Sequence, residues 1–433
     1  MTPGRAPAKV SFGEPGARRL DPAPGVYPRP FTVPARRSSR VPLPGGSLST
    51  VRALKVGAIV VVAFNLRPAL AGLGPLVPDI RADTGLSNAA LGVLTSLPLL
   101  AFGMLSVGSP ALGRRFGVER AVAGALVLIV VGTALRGLPP VPLLFGGTLL
   151  LGIGIAVGNV LLPALAKRDF AGRSGWITSL YSTSMGVGAA VAAGLSVPMA
   201  EWAGWRISLA LWAVPALVAL LWWLPRVRES SRVVARSGAG VRELVGSPLA
   251  WWIALFMGLQ SLSFYVVLAW LPDLLVAFGL EEARAGWLLA LSQGTGLGGT
   301  LLVPLWADRL EDQRRIVYTL ALLETLGLGG LLLPGVVPPS LAVGILGFAL
   351  GGTFGLALTF LLVRAADTES ASNLSGMAQS VGYLLAAVAP PLVGFLRDVS
   401  GGWTAPVWAL LAVVVAKGVT GLRSARPGHV GSG

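Results

Sequence analysis

The sequence predicts an all-α membrane protein of twelve transmembrane helices, arranged as two six-helix halves. Composition is the first reason. The 433 residues are 54% hydrophobic and 12% charged, with a mean hydropathy of +0.75, against about 25% charged residues in a soluble domain. The second reason is a series of twelve apolar segments, at about 53–75, 88–111, 120–136, 141–164, 174–198, 206–225, 248–272, 284–306, 315–334, 339–363, 372–396 and 403–421. Most are long enough to cross a hydrocarbon core about 30 Å thick. The third is an internal repeat at a constant offset of 194 residues. Pro78-Asp79 matches Pro272-Asp273, Gly85-Leu86 matches Gly279-Leu280, and Ala89 and Gly92 match Ala283 and Gly286. The same register pairs Pro110 with Pro304 and Arg115 with Arg309. Six spans separate the copies, an even number, so the halves 51–225 and 248–421 run parallel to one another.

In chain order, residues 1–50 are rich in Pro, Arg, Ser and Gly. They read as a disordered tail that cannot bury enough apolar area to fold, and they lack the apolar core of a secretory signal. Pro139, Pro140 and Pro142 separate span three from span four, and Pro338 and Pro339 separate nine from ten. The stretch 226–247 holds five arginines and reads as the linker between halves, and 422–433 as a C-terminal tail. Arginine and lysine follow spans two, four, six and eight (Arg114, Arg115, Arg120; Lys167, Arg168, Arg173; Arg226 to Arg242; Arg309, Arg314, Arg315). The alternate loops hold little beyond Arg81, Arg136, Arg206, Arg284 and Arg397. The positive-inside rule then puts both termini in the cytoplasm, with the chain in the cytoplasmic membrane.

Composition also excludes functions. There is no cysteine, hence no disulfide or thiolate metal site, and the one histidine, His429, lies in the C-terminal tail. The four lysines (Lys9, Lys55, Lys167, Lys417) do not sit in a phosphate-binding loop. Gly294-Thr295-Gly296-Leu297-Gly298-Gly299 fits a dinucleotide fingerprint formally, but it lies inside span eight with no strand before it. Gly154 and Gly158, or Gly294 and Gly298, read instead as small faces for close helix packing. The net charge of +15 sits in short loops and the tail, so topology rather than nucleic acid explains it. No catalytic residue, metal or cofactor is expected, and the partners expected are a small-molecule substrate and the lipid bilayer, with the chain as a monomer. Trp202, Trp205 and Trp403 read as an interfacial belt.

Arg67 stands out. It lies in Asn65-Leu66-Arg67-Pro68, roughly 20 Å along the first helix at about 1.5 Å per residue, well inside the bilayer. A charge there costs at least about 2.5–3.5 kcal/mol and normally faces protein or a wet cavity. Its planar fork of five donors suits carboxylates and other small anions. Its repeat partner is Ser261, so the cation has no twin. Glu324 is the one acid well inside an expected span, a natural proton carrier, although a contact with a neighbouring helix would account for it too.

Several stretches resemble one branch of the major facilitator superfamily, the cyanate and 2-nitroimidazole transporter family. They are Asn65-Leu66-Arg67-Pro68, Gly158-Asn159-Val160-Leu161-Leu162-Pro163, Lys167-Arg168-Asp169-Phe170, 259–265, Ala269-Trp270-Leu271-Pro272 and 374–383. The resemblance covers about 50–421 and implies the major facilitator fold, with spans one, four, seven and ten lining the cavity. It places Arg67, Asn65, Asn159 and Tyr181 of the first half, and Gln260, Ser261, Tyr265, Gln379 and Tyr383 of the second, at or near a substrate site. The superfamily's loop after span two usually carries an acid and an arginine that hold the cytoplasmic gate. Here the first copy reads Arg114-Arg115 while the second keeps Asp308-Arg309, so Arg115, Asp308 and Arg309 are the gating candidates. The expected activity is secondary active transport of a small anion or compact polar solute, cyanate-like. The alternatives are export of nitroheterocyclic or other drug-like molecules, and a non-transporting membrane receptor.

Overall fold

The computed structural model describes residues 50–105, 113, 115–170, 174–229, 241–307, 309–310, 312–333, 335–365, 368–426 and 430. Residues 1–49 of the tail, 230–240 of the linker, Asp308 and His429 lie outside the described residues. Twelve spans follow one another in the expected order. Ten are single helices: Asn88–Leu105, Val118–Leu135, Val141–Asp169 and Ser174–Ala203 are spans two to five, and Pro248–Ala277, Glu282–Ala307, Arg314–Leu331, Pro339–Val363, Thr368–Ser400 and Thr404–Ser424 are spans seven to twelve. Among the described residues, eleven spans are long and apolar enough to cross a membrane. Span nine falls short because Arg314, Arg315, Thr319, Glu324 and Thr325 dilute its apolar run.

Two spans depart from expectation. The first does not run unbroken over 53–75 but comprises Thr50–Phe64, Pro68–Ala71, the 3-10 turn Gly74–Leu76 and Val77–Thr84. It ends at Gly85, whose φ of 67° suits a residue without a side chain, and the repeat partner Gly279 has φ 91°. The sixth is divided at Trp212 into Trp205–Leu211 and Ala213–Trp223.

Within the halves, span three packs on four and eight packs on ten. Between the halves, two packs on eleven and five on eight, pairs that exchange under the repeat. Backbones touch where eight meets ten: a Cβ on Gly351 would lie 1.8 Å from the Gly296 carbonyl oxygen. The small face of span eight is therefore Gly296 and Gly299, and the expected Gly294 and Gly298 face open space. Gly154 and Gly158 do pack closely, on Ala125 and Leu66. Of the three tryptophans read as a belt, Trp202 is exposed, but Trp205 and Trp403 are buried. The Trp403 ring lies 5.7 Å from that of Trp270.

At the end of the bundle away from the termini, the halves are joined by charge. Arg81 Nη2 donates to Asp273 Oδ1 at 2.8 Å, and Nη1 reaches Asp273 Oδ2 at 3.2 Å and Asn88 Oδ1 at 2.7 Å. Asp398, on span eleven, accepts from the Asn88 side chain at 2.6 Å and from the Ala89 backbone at 2.9 Å. A carboxylate of the second half thus caps the N-terminus of span two, where the helix leaves its N–H groups unpaired. At the opposite end, contacts run within the first half. Arg168 bonds Glu119 at 2.5 Å and Asp169 at 2.7 Å, and Arg226 bonds Asp169 as well.

Glu324 is fully buried and paired with Lys417 of span twelve, whose ammonium also donates to Ser263 of span seven at 3.3 Å. This pair ties three helices of the second half together, well away from Arg67 in chain position and in partners.

Two outcomes are expected. Removing one member of a buried pair costs about 3–5 kcal/mol, whereas replacing both with apolar residues is often neutral. Glu324→Met should therefore lower the thermal midpoint of purified protein strongly, and adding Lys417→Met should restore most of it. Equal losses in single and double variants would refute the pairing. Burial alone would raise the Asp169 carboxyl, but Arg168, then Arg226, hold it below the ordinary carboxylate range. Its contribution is present above the unfolded pKa of about 3.9 and is lost as pH falls through the lower folded value. Asp169→Asn should reduce stability at neutral pH and flatten the acid limb of a melting-temperature profile.

Candidate functional site

The break in span one follows from Pro68. Proline lacks an N–H and clashes with the preceding turn, so it starts helices and does not continue them. Arg67 becomes the N-cap residue of the short helix Pro68–Ala71. Backbone freed by the break has to be satisfied by side chains. The Asn65 side-chain amide donates to the carbonyls of Val61 at 2.8 Å and of Pro215, in span six, at 3.1 Å. Arg136 Nη1 donates to the carbonyl of Ala69 at 2.6 Å. Leu66 is buried against Gly158 of span four, where a Cβ would come within 2.7 Å of its side chain.

Between these anchors Arg67 is half-buried and reaches across to the second half. Its Nη1 donates to the Tyr265 hydroxyl at 3.2 Å, and among the described residues no carboxylate neutralises it. Tyr265 and Tyr383 have ring centroids 6.3 Å apart, Phe264 lies 5.2 Å from Tyr265, and Phe102 of span two lies 5.4 Å from Tyr383. A small cavity beside Tyr265, toward the Arg81–Asp273 end, is lined mainly by apolar residues, including Ala69, Leu73 and Leu268, with Thr95 and Thr148. One fixed cation, one phenol free to donate its own proton and a collar of rings can hold a small planar anion, the guanidinium on its oxygens and the rings on its faces.

The other sequence-predicted residues have other surroundings. Asn65 spends its amide hydrogens on backbone. Asn159 is half-buried on span four with no hydrogen-bond partner among the described residues. Tyr181 is buried on span five. Gln260 reaches the Leu350 carbonyl of span ten at 3.4 Å and accepts from Ser261 at 3.2 Å. Gln379 donates to Ser375, one turn earlier, at 2.9 Å. Of the gating candidates, Arg115 is exposed with its guanidinium over Phe116, Arg309 is exposed, and Asp308 lies outside the described residues. Glu324 faces Lys417.

Sequence reading misses Arg136 by placing it in a loop, although the helical run 118–135 leads directly into it. Lys417 carries in its apolar flanks the same signal that singles out Arg67, and it too goes unread. Asp273 and Asp398 are invisible in sequence, because nothing local says that they meet Arg81 and Asn88.

Comparison with known proteins agrees with this architecture. The crystal structure of a nucleoside transporter, NupG, superposes with a TM-score of 0.73 at 11% identity, over 86% of this chain and 100% of its own. An uncharacterized transporter YycB of Bacillus subtilis (strain 168) is 42% identical over 87% of this chain and 94% of its own length. A 2-nitroimidazole transporter of Escherichia coli (strain K12) is 40% identical over 87% and 96%, and the cyanate transport protein CynX of the same strain is 32% identical over 82% and 93%. The family model described as Major Facilitator Superfamily matches residues 59–390. A twelve-span membrane bundle with this repeat and these relatives belongs to the Major Facilitator Superfamily.

Proposed function

We propose that the chain is a secondary active transporter that moves a small anion or compact polar solute, cyanate-like in size, across the cytoplasmic membrane by alternating access. The observation that carries the reading is Arg67, a cation without a carboxylate partner among the described residues, at the break of span one and bonded to Tyr265 of the opposite half. Transporter sites of this kind form at interrupted helices near mid-membrane, between two halves that rock about them. The relative named for cyanate supports a small anion. Both termini lie in the cytoplasm by the arginine distribution, so the end joined by Arg81, Asn88, Asp273 and Asp398 faces outward. These four residues form the outer gate, closed in this state.

A second reading is export of nitroheterocyclic or related aromatic compounds. The run of rings that begins at Tyr265 and passes through Tyr383 favours it, with the guanidinium donating to a nitro group, and the 2-nitroimidazole transporter among the relatives supports it. Uptake into, and efflux from, proteoliposomes with cyanate and 2-nitroimidazole separates the two.

In either case Arg67→Ala is expected to abolish transport in protein that stays folded, and Arg67→Lys to recover little, because an ammonium keeps the charge but loses the fork. Transport of both probes at the wild-type rate by Arg67→Ala would sink the assignment. For the gate, the absence of cysteine makes a single introduced thiol readable. Thr95→Cys, in the cavity beneath the gate, should react slowly with an impermeant maleimide added from outside. Combined with Asp273→Asn it should react several-fold faster. An unchanged rate would show that these contacts do not hold the outer end shut.

A further inference from the structure

We infer that Arg136 is the positioning residue of the Arg67 site: by holding the Ala69 carbonyl, it fixes the break from which Arg67 reaches the other half. The inference rests on the reading of Arg67 as a substrate contact. Around the break, the N–H groups of Leu70 and Ala71 bond the Arg67 carbonyl, Gly72 bonds Pro68, and Leu73 bonds Leu70. None of these turns to the Ala69 oxygen, and a carbonyl left over in an apolar interior needs a donor. Arg136 Nη1 supplies it at 2.6 Å.

The rest of the residue's surroundings show what that bond is for. Arg136 is among the largest fully buried side chains, with 0% exposure, yet its Nε and Nη2 have no hydrogen-bond partner among the described residues. Most buried side-chain donors have partners, so this guanidinium is not held by a hydrogen-bond network of its own. Here the one hydrogen bond described for this guanidinium goes to the residue two positions after Arg67. The stem has a prepared slot: a Cβ on Gly147 of span four would lie 3.1 Å from Arg136 Cγ and 2.4 Å from the Gly132 carbonyl oxygen. On the other side of Arg67, Asn65 is tied to Pro215 of span six. Arg67 therefore hangs between two anchors, both in the first half, and moves with that half as a unit. When the halves move, the contact that changes is Arg67 to Tyr265, while the geometry of the break is preserved.

One bond to a carbonyl needs one donor and no fork, so the two arginines should answer differently to lysine. In substrate-free protein, amide hydrogen exchange over 65–73 should be about tenfold faster in Arg136→Met, with the other spans unchanged, and should return to the wild-type rate in Arg136→Lys. In uptake of cyanate or 2-nitroimidazole, whichever the wild type carries, Arg136→Met should raise KM by about tenfold with little change in Vmax, as for the loss of about one hydrogen bond's worth of affinity. A purely structural arginine would instead speed exchange throughout and lower Vmax through loss of folded protein. Unchanged exchange over 65–73 in folded Arg136→Met overturns the proposal, and so does Arg136→Lys behaving like Met. If the Met variant does not fold, Arg136→Gln replaces it, with intermediate exchange and KM expected and wild-type values overturning the idea. Normal uptake by Arg67→Ala would remove the substrate reading, while the exchange measurement would still decide the anchoring.

Discussion

The interruption of span one at Asn65–Arg67 is the constraint on which the rest of the site depends. Inside a bilayer, a helix can be broken only if other parts of the protein satisfy the backbone it frees. That requirement reaches into three other spans. Span six presents the Pro215 carbonyl to Asn65, span three presents Arg136 to Ala69, and span four gives up a side chain at Gly158 to admit Leu66. In return the chain places a guanidinium between the halves, braced from behind and bonded in front to Tyr265. An unbroken helix would carry Arg67 on a regular face, with its backbone closed to all of these partners.

The repeat shows how far the two halves have diverged around a common frame. At the offset of 194, Ala69 pairs with Ser263. A buried cation meets each position: Arg136 at the carbonyl of 69, Lys417 at the hydroxyl of 263. In the second half Glu324 neutralises that cation and span seven stays a continuous helix. In the first half the helix is broken and Arg67 has no carboxylate partner among the described residues. The closed end is equally lopsided. Arg81 pairs with Leu275 in the repeat, Asp273 with Asp79 and Asn88 with Glu282. One arginine therefore serves one side of this end, where it holds Asp273 and Asn88.

Much of this is legible in the sequence. The apolar segments mark twelve spans because hydropathy reads directly on lipid, and Arg67 is conspicuous because a lone charge in such a run is expensive. The break itself is not, although Pro68 stands beside it, since apolar content alone does not distinguish a helix from an interrupted one. Features that depend on distant partners are the ones that sequence hides. Trp205 and Trp403 are buried by neighbours remote in sequence, and the small face of span eight falls on Gly296 and Gly299 because the rotation of that helix is set by span ten. Asn65 looks like a ligand and is a brace, a distinction that rests on where its two amide hydrogens go.

The contrast between the Glu324–Lys417 pair and Arg67 favours Arg67 as the place for a substrate under the proposed function. Glu324 and Lys417 are packed together with their charges cancelled, so an anion approaching them gains little and a lost partner is destabilising. Arg67 is the reverse case. Its desolvation is borne by the fold through anchors on either side, no carboxylate among the described residues cancels its charge, and it stays partly accessible between the halves. In surroundings of low dielectric, such a charge attracts an anion more strongly than it would in water and repels cations as strongly. The Tyr265 hydroxyl already sits on one donor and the remaining donors of the fork stay available. A ligand that bridges Arg67 and the phenols of Tyr265 and Tyr383 would bind both halves at once, which ties occupancy of the site to the relative position of the halves.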